Sequence, residues 1–470
     1  MRTVVFALGL LCMAMVLPAQ DIQKRLDKAV QNMLANEQLK HAITAFYVTD
    51  AKNNQVVYDL HSQLGLAPAS AQKIFTAIAA LELLGKDYRF KTEIGYSGQM
   101  KDSILNGNLY IVGYGDPSLG SWRFEGTRRA NVLKNILAVI KQAGIKTIKG
   151  DIILDDSKFS YQPLPGGWIW DDMGNYYGAG SWGLNWNENQ YDLLLKPGKK
   201  EGDAVEIKGT DPELQVYMLT NLLKSGKPGS GDNGYIYLPP NAVAGFVEGT
   251  VPAGEDRFVL SGSIPNPAFQ LQHELEQLAT QHALSYTGNI KPAAVFINDQ
   301  QPVPAYTHLL GTLYSPSLDS LLYPFLQKSI NLYGEVLVKA IAMEKTGKGS
   351  TEKGVELVRD FWQQNGIEKS ALKTIDGSGL SPQNRVTVQA LVQALQLAKT
   401  KPWFSNFYND LPVYNNMKMK SGTIGGSKAF AGYQTAANGH QYTFAIIINN
   451  FDGNASAVVQ QMYKVLDELK

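Results

Sequence analysis

Ser70 and Lys73 stand three residues apart at the head of an otherwise apolar run, Leu66 to Gly85. On a helix, residues i and i+3 share a face with Cβ atoms about 5–6 Å apart. A hydroxyl that close to an amine is a nucleophile beside its base, provided the amine is neutral. Desolvation lowers a lysine's pKa, and the positive end of a helix dipole acts in the same direction. A neutral Lys73 takes the Ser70 proton, and the N–H groups of the helix N-terminus face the oxyanion that forms. An N-cap serine with a snorkelling lysine fits the same two residues. The rest of the chain has to decide between acyl transfer and plain capping.

Serine acyl transfer with a lysine base uses three short motifs: S-x-x-K, S-x-N and K-[ST]-G. S-x-x-K occurs at Ser70–Lys73, Ser350–Lys353 and Ser370–Lys373. Ser350 opens the charged run "STEKGVELVRDFW", where it reads as a cap with Lys353 in water, and Ser370 precedes the loop-like "DGSGL". Only Ser70 leads into a helix whose next positions are nearly all apolar, and a buried lysine needs a reason. The sequence Ser329-Ile330-Asn331 interrupts a helical run with a hydroxyl and an amide. Taken singly, this triplet reads as a turn between helices with local caps.

Of the three K-[ST]-G copies, Lys224-Ser225-Gly226 and Lys345-Thr346-Gly347 read as helix ends, where Gly and Lys are both expected. Lys420-Ser421-Gly422-Thr423 instead leads into the strand pattern "AFAGYQTA". A strand edge aligns an extended peptide, and the Thr423 N–H would complete an oxyanion hole with that of Ser70. Lys420 would hold a substrate carboxylate and, as a like charge, keep Lys73 neutral. Three motifs in the order Ser70, Ser329, Lys420, each in suitable context, favour function over capping.

The elements that must position these residues lie at both ends of the chain. Helical spacing over Asp21 to Leu39 precedes two strands in "HAITAFYVTDAKNNQVVYDLHS", then the Ser70 helix. Helices return from Ser317, followed by hairpin-like strands and a last helix. This order implies one discontinuous α/β domain, 21–92 with 296–470, whose sheet takes strands from both termini. Residues 93–295 read as an inserted region of one or two small β-rich domains. Within it, "NVLKNILAVIKQAGIKTIKGDIILDDS" and "HELEQLATQHALSYTGNIKPAAVFIND" share one plan, a helix leading into a strand.

At 470 residues, 44% hydrophobic and 18% charged, the chain has the composition of a globular protein of more than one domain. Forty-three basic and forty-two acidic residues give no reason to expect nucleic acid as a partner. Residues 1–20 have a basic Arg2, an apolar core and a small-residue exit, the pattern of an export signal. The lone cysteine, Cys12, lies inside that segment, so the mature chain has neither disulfides nor thiolate metal sites. The six histidines are scattered, and no metal or cofactor is called for. Trp168, Trp170, Trp182 and Trp186 cluster in the insert, where packing accounts for them better than sugar binding.

With these motifs in place the chain resembles the class C low-molecular-mass penicillin-binding proteins, the D-alanyl-D-alanine carboxypeptidase/endopeptidases. The likeness rests on "PASAQKIFTAIAALELLG", "LYIVGYGDPSL", "SINLYGEVL", "DGSGLS" (Asp376–Ser381), "KSGTIGG" and the long insertion between the first two motifs. It implies a penicilloyl-serine-transferase (β-lactamase-like) domain, an antiparallel sheet flanked by helices with smaller domains inserted. It implies hydrolysis of D-Ala-D-Ala in peptidoglycan stem peptides, covalent inhibition by β-lactams, and a periplasmic or extracellular location.

Carried onto matching positions, the resemblance makes Ser70 the nucleophile and Lys73 the general base, with Ser329 and Asn331 relaying protons and orienting substrate. Lys420, Ser421, Gly422 and Thr423 would bind the substrate's carboxylate and backbone. Asp155 resembles the family's acidic wall residue for a substrate amino group. Two departures stand out. Ser421 replaces the usual threonine but keeps the hydroxyl, and Pro382 follows "DGSGLS" where members of the family often carry arginine. A β-lactamase or esterase of the same fold and a non-catalytic cell-wall binding module are the competing readings; the first would hydrolyse a penicilloyl adduct quickly, and the second would form none.

Overall fold

The computed structural model describes residues 21–214, 218–282 and 284–470. The export signal expected over 1–20 lies outside the described residues. The chain divides into two compact units. One takes the described residues up to Glu82, then Leu322–Ser329 and Val358–Lys470; the other takes Leu83–Leu321 and Ile330–Leu357.

The first unit is built on a six-stranded sheet, antiparallel throughout, made of strands from both ends of the chain. Its order is Val56–Leu60, Ile43–Asp50, Gln441–Asn449, Ser427–Thr435, Met417–Ile424 and Val413–Tyr414. Alternation fixes the register: Phe46, Val48, Phe444, Ile446 and Ile448 all point to one face. There they pack with Ile22, Leu26 and Val30 of the helix over 21–34 and with Val458, Met462 and Val465 of Ala455–Asp467. The helix Val388–Lys399, capped by Thr387 Oγ1, packs against the central strands and buries Val388, Leu391, Val392 and Leu395. At the sheet's far edge Val413–Tyr414 pairs only as far as Lys418. From Lys420 onward the outer side of Met417–Ile424 has no strand partner among the described residues.

The second unit holds several smaller sheets. In the largest, the order is Ile290–Pro292, Ile152–Asp155, Leu109–Gly113, Lys91–Tyr96 and His308–Tyr314. The two halves of the internal similarity lie side by side here. The helices Arg129–Gln142 and Pro267–Gln281 share one apolar cluster through Ile136, Ile140, Leu271 and Leu275. The strands after them pair in parallel, Ser285–Tyr286 on Thr147–Ile148 and Ile290–Pro292 on Ile152–Leu154. Trp168, Trp182 and Trp186 are buried packing residues, whereas Trp170 is half-exposed.

One expectation fails. Lys224-Ser225-Gly226 does not end a helix but forms a short strand parallel to Thr250–Pro252. The apolar run before it is too short to separate a helix from a strand by periodicity, and Met218–Asn221 is extended.

Candidate active site

In the first unit the chain reaches Ser70 through a sharp turn. Pro68 is followed by Ala69 at φ +47°, a left-handed conformation that a residue with a Cβ adopts only when its surroundings enforce it. A single 3-10 turn, Ala69–Gln72, then runs directly into the helix Lys73–Leu83. Two anchors hold this turn to the sheet: Ser427 Oγ donates to Ala67 O at 2.7 Å, and Ala67 N donates to Asn449 Oδ1 at 2.8 Å.

Lys73 is completely buried. Its Nζ donates to Ser70 Oγ at 2.8 Å and to the carbonyl of Ser378 at 2.8 Å. The Phe325 ring lies against the same nitrogen, 6.0 Å from ring centroid to Nζ. Such a site gives an ammonium little of the solvation that water would supply, and it sets the amine within one hydrogen bond of an alcohol.

Ser378 belongs to the "DGSGLS" loop, which is folded around Asp376. That carboxylate accepts from Gly379 N (2.8 Å), Ser381 N (2.7 Å) and Asn384 Nδ2 (2.9 Å). The loop docks on the serine helix through Gln72 Nε2 to Asp376 O, 2.7 Å, and Thr76 Oγ1 to Gly377 O, 2.6 Å. Gly379 permits the approach: it sits at φ +84°, and a Cβ there would fall 2.0 Å from Ala69 O. The sequence marked this loop by resemblance alone; its task of accepting a hydrogen bond from Lys73 is a contact across 305 positions. Beyond it, exposed Arg385 donates to Pro382 O at 2.6 Å, so an arginine stands three residues past the position where the sequence lacks one.

The third motif closes the other side of the serine turn. A Cβ on Gly422 would lie 2.2 Å from Pro68 O, 3.0 Å from Ala71 N and 3.1 Å from Ser70 N, so only glycine lets the strand pass this close. Lys420 is buried and donates to Ser421 O at 2.9 Å. Burial alone pushes its pKa down to about 7. Thr423 is exposed, its Oγ1 accepting from Lys428 Nζ at 2.8 Å.

Ser329 ends the Leu322–Ser329 segment of the same unit, just after the helix Leu318–Gln327, at φ +57°. Gln327 Nε2 holds that segment by donating to Leu411 O, 3.2 Å. Four residues before Ser329 is Phe325, the ring against Lys73. Ser70, Lys73, Lys420, Ser421, Gly422, Thr423 and Ser329 all belong to the first unit.

Asn331 and Asp155 belong to the second. Asn331 is buried at the first position of the helix Asn331–Thr346, and its Nδ2 donates to Tyr177 O at 2.8 Å. Asp155 ends the strand Ile152–Asp155, buried, with Oδ1 accepting from Ser157 N at 2.8 Å. Tyr177 has a different carboxyl for company. Burial and the charge of Asp172 raise the phenol's pKa, and burial with the neighbouring Asp171 lifts Asp172 to about 6. Periodicity carried no signal for that pair, since both acids sit in a one-turn helix, Trp170–Met173.

The other motif copies do structural work. Ser350 Oγ accepts from Lys353 N at 3.3 Å, and Lys353 pairs with Glu356 at 3.0 Å in solvent. Ser370 Oγ donates to Glu368 at 3.0 Å on the surface. Lys345-Thr346-Gly347 ends its helix with Gly347 at φ +79°.

A family profile described as the D-Ala-D-Ala carboxypeptidase 3 (S13) family matches residues 26–469. Among curated proteins, the D-alanyl-D-alanine carboxypeptidase of Actinomadura sp. (strain R39) is 27% identical over 469 residues, covering 93% of this chain and 83% of the relative. The D-alanyl-D-alanine carboxypeptidase DacB of Haemophilus influenzae is 26% identical, covering 86% and 85%. Among solved structures, penicillin binding protein 4 (dacB) of Haemophilus influenzae superposes with a TM-score of 0.78 at 23% identity, over 96% of this chain and 98% of that one.

Proposed function

The chain belongs to the D-Ala-D-Ala carboxypeptidase 3 (S13) family and is a serine-type hydrolase of that kind, and from that premise we propose that Ser70 is its nucleophile and Lys73 the base that activates it. The observation that carries the proposal is the 2.8 Å hydrogen bond between Lys73 Nζ and Ser70 Oγ at a fully buried amine. A neutral Lys73 takes the hydroxyl proton as Ser70 Oγ bonds to the carbonyl carbon of the penultimate D-alanine of a peptidoglycan stem peptide. The amides of Ser70 and Thr423 stabilise the oxyanion. The C–N bond then breaks, and the departing D-alanine amine receives, through Ser329, the proton that Lys73 took, with Asn331 orienting the peptide. Water then attacks the resulting ester as neutral Lys73 takes its proton, and that proton passes to Ser70 Oγ as the ester C–O bond breaks. Lys420, protonated, holds the terminal carboxylate, while Ser421, Gly422 and Thr423 align the substrate backbone along the open edge of Met417–Ile424. Asp155 faces a substrate amino group in this reading.

The organisation behind it is a catalytic domain of 21–92 and 296–470 interrupted by 93–295, supported by a sheet whose strands come only from 43–60 and 413–449. β-Lactams carry a strained amide beside a carboxylate, so they acylate the same serine. An exported, cell-wall location follows from the substrate.

Labelled penicillin should mark the protein at Ser70, with D-alanine released from a synthetic D-Ala-D-Ala peptide. Ser70→Ala should lose both while keeping its thermal transition. A label that survives in that variant sinks the assignment.

A further inference from the structure

A cavity of about 820 Å³ lies wholly in the second unit and has no part in the chemistry above. Its size is that of a small-molecule site. Its lining is what sets the chemistry of an occupant. Arg129, at the start of the helix Arg129–Gln142, bridges Asp211 at 2.9 Å and Glu274 at 3.6 Å across the cavity wall. Asp192 accepts from Ser261 Oγ at 2.7 Å on another wall. Three carboxylates, Asp192, Asp211 and Glu274, outnumber the two lining arginines, Arg128 and Arg129, so the lining does not favour a phosphate or carboxylate ligand, and so many charged groups leave an apolar ligand unrewarded. Planar acceptors and a guanidinium fork, each fixed by a first partner and with further hydrogen-bonding capacity, suit vicinal hydroxyls and amides.

The rim supplies the aromatic face. Trp122 lines the cavity and is 47% exposed. The guanidinium of Arg123 lies 5.2 Å from its ring centroid. Arg123 does not wander, because its Nε donates to Glu188 at 2.8 and 3.0 Å, and Glu188 is wholly buried with Ser121 (2.7 Å) and Tyr333 (2.9 Å) also donating to it. The indole is thus held against a fixed cation, and a ligand stacking on it pays little ordering entropy. A half-exposed indole attracts the weakly positive C–H edges of a flat saturated ring.

We propose that this cavity binds amino-sugar residues of the peptidoglycan glycan strand. The proposal rests on the reading of peptidoglycan as substrate, since stem peptides hang from amino-sugar strands. The second unit would then add glycan affinity to the peptide chemistry of the first.

The test uses the full chain and chitotriose, a peptide-free oligomer of N-acetylglucosamine, followed by tryptophan fluorescence and calorimetry. Saturable binding is expected, weakened about tenfold by Trp122→Ala and by Asp192→Asn, and largely restored by Trp122→Tyr. The ratio of kcat/KM on a glycan-linked pentapeptide to that on the free pentapeptide should fall about fivefold or more in the first two variants, through KM. No saturable binding, or equal loss on both substrates, overturns the proposal. Penicillin labelling of the same preparations separates the two claims: full labelling without sugar binding removes only the glycan site, whereas sugar binding without any label on Ser70 removes only the catalytic assignment.

Discussion

Lys73 and Lys339 are equally hidden from water, one in each compact unit, and one difference between their hydrogen-bond partners bears on chemistry. Lys339 donates to two carbonyls, Gln162 O and Ser181 O, both at 2.9 Å. It lies 5.8 Å from the Phe159 ring, and burial lowers its pKa to about 8. Lys73 donates to the Ser378 carbonyl and also to a hydroxyl, beside the Phe325 ring. A carbonyl has no proton to give, so Lys339 can only tie a loop to its helix. A hydroxyl has one, which is why the arrangement around Lys73 is the one proposed to do chemistry. Burial makes a lysine costly; the partner decides whether the cost is structural or catalytic.

The largest test of that contrast replaces each lysine by methionine, which nearly conserves volume. Both variants take a donor away from buried carbonyls and should lose about 1–3 kcal/mol, read from urea midpoints. Only Lys73→Met should also lose penicillin acylation, by a factor of about 10³ or more, followed by stopped-flow labelling. Comparable acylation in the two variants breaks the comparison.

Next comes the geometry around the serine turn. Gly422→Ala puts a methyl 2.2 Å from Pro68 O, so the strand and the Ser70 turn must separate. Acylation should fall about a hundredfold, measured as k2/K with a chromogenic β-lactam. Gly425→Ala, with nothing near its Cβ, is the matched control and should stay within about twofold.

Smaller effects follow from pH. Lys420 titrates near 7 because burial disfavours its charge. Above that pH the cation is lost, so KM for carboxylate-bearing substrates should rise, while β-lactam esters should show no such rise. The linkage sign agrees: between about pH 7 and 10.5 the unfolded chain holds a proton that folded Lys420 does not, so stability climbs with pH across that window. Lys339 adds the same sign between about 8 and 10.5. Lys420→Met and Lys339→Met should each flatten the climb in its own window, followed by thermal scans against pH.

The smallest effect concerns the decoys. Ser350→Ala removes a cap and should cost about 1 kcal/mol without altering labelling, and Ser370→Ala should do less. Loss of label in either would mean that the wrong S-x-x-K copy has been assigned.

Much of this was legible because it is local. The Ser70–Lys73 spacing, the apolar helix behind it and the alternation of the hairpin strands are properties of neighbouring residues. So was the paired plan of helix and strand in the insert, which the structure sets side by side in parallel. Ser378 was not legible as a partner of Lys73, because a backbone carbonyl has no sequence signature. Lys339 drew no attention, since one lysine in "GEVLVKAIAMEKTG" reads as a charge turned to solvent. Nor did Arg123 and Glu188, whose pairing spans 65 positions.

Residue order alone therefore settled which chemistry was on offer: a hydroxyl one helical turn from an amine, and a lysine leading into a strand. Context along the chain already favoured the Ser70 copy of S-x-x-K and the Lys420 copy of K-[ST]-G, but how closely the two approach was decided only in three dimensions. The Ser70 turn takes Gly379 on one side and Gly422 on the other, both more than 300 positions away, and that convergence excludes water from Lys73. Burial and close approach are sums over distant contacts, and no short window of sequence contains them.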